Sequence, residues 1–506
     1  MHPETGVLFY MDTSFDSSDF DSADEEPPSS QSSDFDSAGE EPPSFDSARS
    51  LKNLDRRHPR FRDVPLEKWE DWQWQMRNAI RTTAQLQEFL PHSPEDLEIL
   101  TRLEGTYKVS IPPYYLSLID VNDPGDPIRL QSVPTTLEGT TPLGVELEDP
   151  LEEDKDSPVP GLTHRYPDRV LLITTPMCTM YCRYCTRKRV TLDKEGWDGP
   201  SRNERQMIDY IAAHDEIRDV VVSGGDPLSL SLSKLRWFIG ELTAIEHVDV
   251  IRIGTRIPVT LPQRLFDPEL VKLLSDSGKI WIQTHFNHPR EITPESTRAI
   301  RNLVNGGMPV NNHSVLLKGV NDSVLVMREL VRGLLRIKVR PYYIFHCDPV
   351  TGAGHFRTSV WKGIEIIEAI RGHMSGLGVP TYVVDGLRGA GKIPLGPNYM
   401  VSASETSVVL RNYEGLLFRY DPRAEPLMAQ NSYESTGVSG LLGGDRTALV
   451  PEGNSRMQRR LDRSGGPLEA VAVGAELKPV SSTTLRGRAR KLKTVPAPTR
   501  SRKRRP

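Results

Sequence analysis

The chain has 506 residues, with 63 Lys and Arg set against 68 Asp and Glu for a formal net charge of −5. Hydrophobic residues make up 37% and mean hydropathy is −0.44, low for a chain that folds along its whole length. No run of about 20 apolar residues and no apolar stretch behind a basic N-terminus occurs, so neither a membrane span nor a secretory precursor is expected. Four cysteines cannot build a disulfide framework, and a reducing, cytoplasmic setting is expected.

Taken in chain order, residues 12–46 are acidic, Ser-rich and nearly repeated: Asp19-Phe20-Asp21-Ser22-Ala23 returns as Asp34-Phe35-Asp36-Ser37-Ala38. Such a segment buries too little apolar surface to fold, so residues 1–60 are expected to be a disordered tail. A helical region over 61–150 follows, with Trp69, Trp72, Trp74 and Met76 on one amphipathic stretch and Leu86, Phe89 and Leu90 on another. From residue 169 strand and helix alternate. Strands are predicted over 170–174, 219–223, 248–253, 279–283, 309–315, 338–345 and 381–384. Helices are predicted near 203–213, 231–243, 267–276, 323–335 and 361–371, with another capped by Thr293 and carrying Pro294 at its first position. Apolar strands alternating with amphipathic helices predict parallel β/α units over 151–425, with functional groups at the C-terminal strand ends. Beyond 426 the chain turns basic, with no acid between Arg486 and Arg505. A basic tail can bind nucleic acid or an acidic surface; the plainer reading, a disordered and solvated tail without a nucleic-acid partner, is preferred.

Three of the four cysteines lie within one loop, as Cys178-Thr179-Met180-Tyr181-Cys182-Arg183-Tyr184-Cys185. Three thiolates can hold three irons of a [4Fe–4S] cluster and leave the fourth iron open to a small molecule. A closed structural zinc site wants four ligands, which this loop lacks. The C-x3-C-x2-C spacing is the radical S-adenosylmethionine signature, and Tyr184 stands where that family places an aromatic against adenine.

Three further motifs fall at strand ends. Ser223-Gly224-Gly225-Asp226 pairs glycines that permit close backbone approach to a ligand with a carboxylate able to receive an ammonium group; taken alone it reads as a plain turn, and its place one β/α unit after the cysteine loop gives it weight. Gly386-Leu387-Arg388-Gly389-Ala390-Gly391-Lys392-Ile393-Pro394 resembles a phosphate loop, but Ile393 stands where magnesium needs Ser or Thr, and Pro394 disfavours a helix there. It reads instead as a flexible glycine loop presenting Lys392, whose amine could form a Schiff base with pyridoxal phosphate; alone, it is an exposed loop lysine. Arg165 and Arg169, four apart and flanking Tyr166, could grip a phosphate dianion or form an ordinary surface ion-pair cluster.

Together with Ser157–Val170, Cys178–Arg189, Thr284–Pro289, Arg340–Tyr343, His355–Thr358 and Gly363–His373, these motifs resemble lysine 2,3-aminomutase over about residues 69–420. The resemblance implies a partial, TIM-like (β/α) barrel of the radical S-adenosylmethionine type and an isomerase. It implies a [4Fe–4S] cluster on Cys178, Cys182 and Cys185, and S-adenosylmethionine cleaved to a 5′-deoxyadenosyl radical. It also implies a pyridoxal phosphate aldimine on which nitrogen moves from C2 to C3. Lys392 matches the cofactor lysine; Arg165, Tyr166 and Arg169 match the phosphate grip. Tyr184, Ser223, Gly224, Gly225, Asp226 and His285 match the S-adenosylmethionine site. Arg187 matches the substrate-carboxylate arginine, and Asp348 and Asp385 match the acids that receive the far amine of lysine. A flavodoxin- or ferredoxin-type electron donor and a homo-oligomer are implied too.

The two acids set the substrate expectation. A buried ammonium needs compensating negative charge, so free L-lysine is expected and glutamate disfavoured. Arginine is the alternative, because a guanidinium also pairs with carboxylates; modification of a protein-bound lysine is a further one. As loop-capping aspartates the pair would have a structural role only. Departures from the family pattern cluster at this end: Leu387, Arg388 and Ala390 in the lysine loop, Pro349-Val350-Thr351-Gly352 after Asp348, and His313 and His346 where amides are common. Cys347, the remaining cysteine, reads as a small buried residue.

Overall fold

The computed structural model describes residues 56–90, 92–104, 108–139, 146–192, 199–403 and 408–420. The two expected tails lie outside these residues apart from 56–60. Among the described residues one sheet has nine strands in sequence order: β1 (Leu162–Tyr166), β2 (Arg169–Ile173), β3 (Asp219–Ser223), β4 (Val250–Gly254), β5 (Ile280–Thr284), β6 (Val310–Leu316), β7 (Arg340–His346), β8 (Thr381–Gly386) and β9 (Gly391–Leu395). Strands β2 to β8 are parallel; β1 and β9 run antiparallel to their neighbours. The crossovers are α1 (Gly199–Ala212), α2 (Leu232–Ala244), α3 (Pro268–Asp276), α4 (Pro294–Asn305), α5 (Val324–Arg336) and α6 (Val360–Ile370). The sheet curls into a nearly closed barrel, its two edges meeting where Tyr166 Oη accepts a hydrogen bond from the Lys392 backbone N–H at 2.9 Å.

Period-two alternation explains both faces of the sheet. Val220, Val222, Ile251, Ile253 and Ile282 are buried in the core shared with the helices. Their alternates Val221, Ser223, Arg252 and Gly254 face the barrel lumen. The helices start where short polar side chains satisfy the first N–H groups: Ser231, Asp267, Thr293 and Ser359 each accept a backbone hydrogen bond there. Thr293 and Ser296 form a reciprocal capping box, with Pro294 at the first helical position as expected. The expected helical N-terminal region comprises short helices from Leu66–Glu70 to Pro127–Ser132. Tyr114 and Tyr115 tie it to the barrel through Thr293 Oγ1 at 2.6 Å and Glu291 Oε1 at 2.8 Å.

Three features differ from the sequence reading, the first being edge strand β1, which was not expected. Residues 391–394, expected as part of a flexible loop, lie in strand β9; only Leu387–Gly389 before it is a single 3₁₀ turn. Pro394 is compatible because β9 is an edge strand. A separate antiparallel sheet of β10 (Met400–Ala403), β11 (Val408–Arg411) and β12 (Leu417–Tyr420) follows, which no periodicity had indicated.

Candidate active site

The C-terminal strand ends surround a cavity of about 430 Å³ that the cysteine loop, Ser223–Asp226, His285, Asp348, Asp385 and Lys392 all line. Sequence-distant motifs thus share one chamber.

The cysteine loop leaves β2 and is fixed from beneath by the glycine pair. Gly224 has φ +127°, and a Cβ there would lie 2.4 Å from Thr175 O; a Cβ on Gly225 would lie 2.2 Å from Met177 O. The two backbones are joined by Gly225 N–H to Thr175 O at 2.5 Å and Asp226 N–H to Met177 O at 2.7 Å. The glycines therefore permit close approach, as expected, but what approaches is the chain entering the cysteine loop. Asp226 also has a settled local task. Its carboxylate accepts from Thr255 Oγ1 at 2.7 and 2.9 Å, from the Arg256 N–H at 2.7 Å and from the Leu228 N–H at 3.1 Å. Burial still pushes it up to about 6.

All three loop cysteines are half-buried, free thiols. Burial, followed by the neighbouring cysteines, pushes the Cys178 and Cys185 thiols up, the condition a bound cationic centre reverses. No group of three Cys, His, Asp or Glu among the described residues is arranged to hold a single ion. All three cysteines line the chamber, and three thiolates can hold three irons of a cluster. Tyr184 is buried and stacked on His285 at 5.7 Å. Its Oη lies 2.9 Å from His285 Nε2 and accepts from Asn287 Nδ2 at 2.6 Å. Burial, then Arg256 and His313, drives the His285 imidazole well below its ordinary value, so it is neutral.

At the closing edge of the sheet the register of β8 and β9 places Lys392 directly across from Asp385, and directly opposed residues share a sheet face. Lys392 Nζ is accordingly 3.1 Å from Asp385 Oδ1, with 37% of the lysine side chain and 11% of the aspartate exposed. Asp348 accepts from Thr186 Oγ1 at 3.0 Å. Burial, then Asp385, pushes its carboxyl up to about 6. The two expected acids and the lysine all line the cavity, and the Asp385 charge acts on Asp348.

The three arginines differ in availability. Arg165 is clamped by Asp156 Oδ2 at 2.8 Å and Leu151 O at 2.6 Å. Arg169 lies over the Tyr166 ring at 4.4 Å; Asp168 is 3.3 Å away without the alignment of a hydrogen bond, and the buried Nε–H has no acceptor. Arg187 donates to Ser223 Oγ at 3.0 Å and Glu153 Oε1 at 3.3 Å.

Several charged groups of this chamber were missed from sequence. Arg183 forms a two-pronged pair with Glu138, at 2.8 and 2.6 Å, with 2% and 0% of the side chains exposed. Lys188, pushed down to about 8 chiefly by burial, donates to Gly352 O at 3.1 Å. Arg256 joins Cys182 to the N-terminal region. These partners are separated by 45 to 164 residues, and pattern reading has no signal for pairing at that range.

An L-lysine 2,3-aminomutase of Clostridium subterminale is 49% identical over 419 residues, covering 81% of this chain and 99% of the relative. The chain belongs to the lysine 2,3-aminomutase family. The family model described as Lysine-2,3-aminomutase matches residues 367–471, and that of the Radical SAM superfamily matches 172–331. An L-lysine 2,3-aminomutase of Methanococcus maripaludis is 46% identical, covering 79% of this chain and 96% of the relative. A glutamate 2,3-aminomutase of Clostridioides difficile is 42% identical, covering 70% and 83%. The chain is thus a radical S-adenosylmethionine isomerase of the aminomutase type, and its fold is the expected partial barrel. No helix among the described residues is long and apolar enough to cross a membrane.

The family implies a [4Fe–4S] cluster and S-adenosylmethionine, and the chamber fits both. Besides the thiol wall, the buried Gln283 Oε1 and Thr284 Oγ1 and the cavity-lining His313 Nε2 lack hydrogen-bond partners, an unmet demand that a polar ligand answers. The cavity-lining lysine and the Arg169 Nε–H, which lacks a hydrogen-bond acceptor, likewise suit an aldehyde carrying a phosphate.

Proposed function

We propose that this enzyme converts free L-lysine to β-lysine, moving the α-amino group to C3, with pyridoxal phosphate as the second cofactor. The observation that carries the substrate is the pairing of Asp348 with Asp385 at the Lys392 end of the chamber that also holds the cysteine loop. Two neighbouring carboxylates repel each other and would repel the side chain of glutamate; a cationic side chain relieves both.

When bound, the cluster with S-adenosylmethionine supplies a hydrogen-abstracting radical, and pyridoxal phosphate supplies the π-system over which nitrogen migrates. Cys178, Cys182 and Cys185 would hold the cluster. The polar wall around Ser223–Asp226, Tyr184 and His285 would hold S-adenosylmethionine. Lys392 would anchor the pyridoxal group, with Arg165, Tyr166 and Arg169 at its phosphate. Arg187, steadied by Glu153 and Ser223, supplies positive charge for the substrate carboxylate. Asp385 then receives the distal ammonium beside Asp348. The chain's contribution is to fix reacting groups within one chamber. A flavodoxin- or ferredoxin-type protein is the proposed electron donor.

Anaerobic turnover of the reconstituted enzyme with dithionite, offering lysine, arginine and glutamate separately, tests this reading by chromatography and mass spectrometry. β-Lysine is the expected product. β-Arginine would keep the chemistry and overturn the substrate; no product despite full loading with both cofactors would overturn the free-amino-acid reading.

A further inference from the structure

Arg256 follows β4 at the cavity wall, and its guanidinium is buried. Its Nη1 donates to Cys182 Sγ at 3.0 Å, and its Nε to His285 O at 3.2 Å. Its Nη2 meets Gln131 Oε1 at 2.6 Å, Glu291 Oε1 at 2.7 Å and Tyr115 Oη at 3.2 Å. The guanidinium also lies over the Tyr115 and Tyr184 rings, 5.6 and 5.7 Å from their centroids. Its backbone N–H is held by Asp226. Tyr115 and Gln131 belong to the N-terminal helical region, which thus extends two polar side chains to the innermost end of this arginine.

We infer that Arg256 is a positioning residue for the cluster: clamped by the N-terminal region and Glu291, it donates a charge-assisted hydrogen bond to the Cys182 sulfur and raises the reduction potential of the cluster. Reduction adds one electron, from a low-potential one-electron donor, to a centre already made negative by its thiolates. No bond is made or broken at Arg256. A buried cation against a ligand sulfur stabilises the more negative, reduced form more than the oxidised one, and hydrogen bonds to cluster sulfurs act in the same sense. Glu291 works against it, because its negative charge partly offsets the guanidinium. The inference rests on Cys182 being a cluster ligand.

The test is a redox titration, followed by electron paramagnetic resonance, of the anaerobically reconstituted full chain without substrate. Arg256→Met is expected to retain full iron content while its reduction equilibrium constant falls at least tenfold, a shift of about 59 mV to lower potential for one electron. Arg256→Lys, which keeps a charge but not the planar fork, is expected to fall between the two. Glu291→Gln is expected to shift the other way, to higher potential. A purely architectural role for Arg256 predicts no such opposition of sign. Full iron content with an unchanged midpoint in Arg256→Met, or shifts of the same sign in Arg256→Met and Glu291→Gln, would overturn the inference. If Arg256→Met does not fold, an unchanged midpoint in both Arg256→Lys and Glu291→Gln overturns it equally. Failure of the unmodified chain to take up an iron–sulfur cluster would instead strike the cluster assignment itself, and this inference with it.

Discussion

The two walls of the chamber are built on different principles. Around the cysteine loop, charge is buried and matched: Arg183 with Glu138, Arg256 with Glu291, and Asp226 with three donors. Around Lys392, charge is partly exposed, with Lys392 paired to Asp385, Asp348 close enough to feel the Asp385 charge, and an Arg169 Nε–H lacking a hydrogen-bond acceptor. The first wall is satisfied by its own partners, whereas the second is where the proposed function places the charges of cofactor and substrate. Stability should therefore reside in the first and substrate recognition in the second.

The sharpest test of that division is Lys392→Ala. Turnover should fall by roughly 10³-fold or more, and the visible absorbance of bound pyridoxal phosphate should disappear. Thermal stability should stay within about 0.5 kcal/mol, as for other surface substitutions. Glu138→Gln should show the reverse emphasis. It strands Arg183 in the interior and should lower unfolding free energy by about 3–5 kcal/mol in denaturant titrations.

A glycine pair makes the same distinction. Gly225→Ala drives a Cβ to 2.2 Å from Met177 O and should lower both iron content and melting temperature. Gly396→Ala, just past β9 with nothing within 4 Å of the new Cβ, should change neither. Asp385→Asn should reduce kcat/KM for lysine by roughly 10- to 100-fold, the value of a charged hydrogen bond of about 1.5–3 kcal/mol. It should alter stability by less than about 1 kcal/mol, because its ion pair with Lys392 is solvent-screened.

The smallest expected effect is on pH dependence. Asp348, raised to about 6, is protonated below that value and carries its charge above it. Affinity for lysine should therefore increase as pH rises through about 6, read as a falling KM. For stability the sign is opposite: the folded state holds this proton more tightly than the unfolded chain, so the contribution is full below the ordinary value of 3.8 and is lost as pH rises through about 6. Asp226 titrates in the same region, so the decisive comparison is Asp348→Asn, in which the KM dependence should flatten. A profile unchanged by that substitution would assign it to the cysteine wall.

Much of this architecture was legible in the sequence because strand and helix periods differ. Asp219–Ser223 and the Thr293–Pro294 helix start were located to the residue, since apolar runs and caps are local signals. Strands β1 and β9 were not found. Thr163-His164-Arg165 in β1 and Lys392-Ile393-Pro394 in β9 do not read as buried strands; each is held by one neighbour and by its place at the sheet edge. The Cys178–Cys185 loop could be recognised because spacing alone defines it. The tasks of Asp226 and Gly225 could not, since each is set by a partner elsewhere: Thr255 for one and Met177 for the other. Arg256 shows the limit most clearly, being joined to a glutamine 125 positions away.

The bond between Tyr166 and β9 engages the main chain of Lys392 and leaves its amine out of the seam. The residue is thus mounted like a crane on a bolted base. On the proposed function its tip would exchange Asp385 for a cargo and return, while the joint that brings the barrel's first and last strands together would carry none of that traffic.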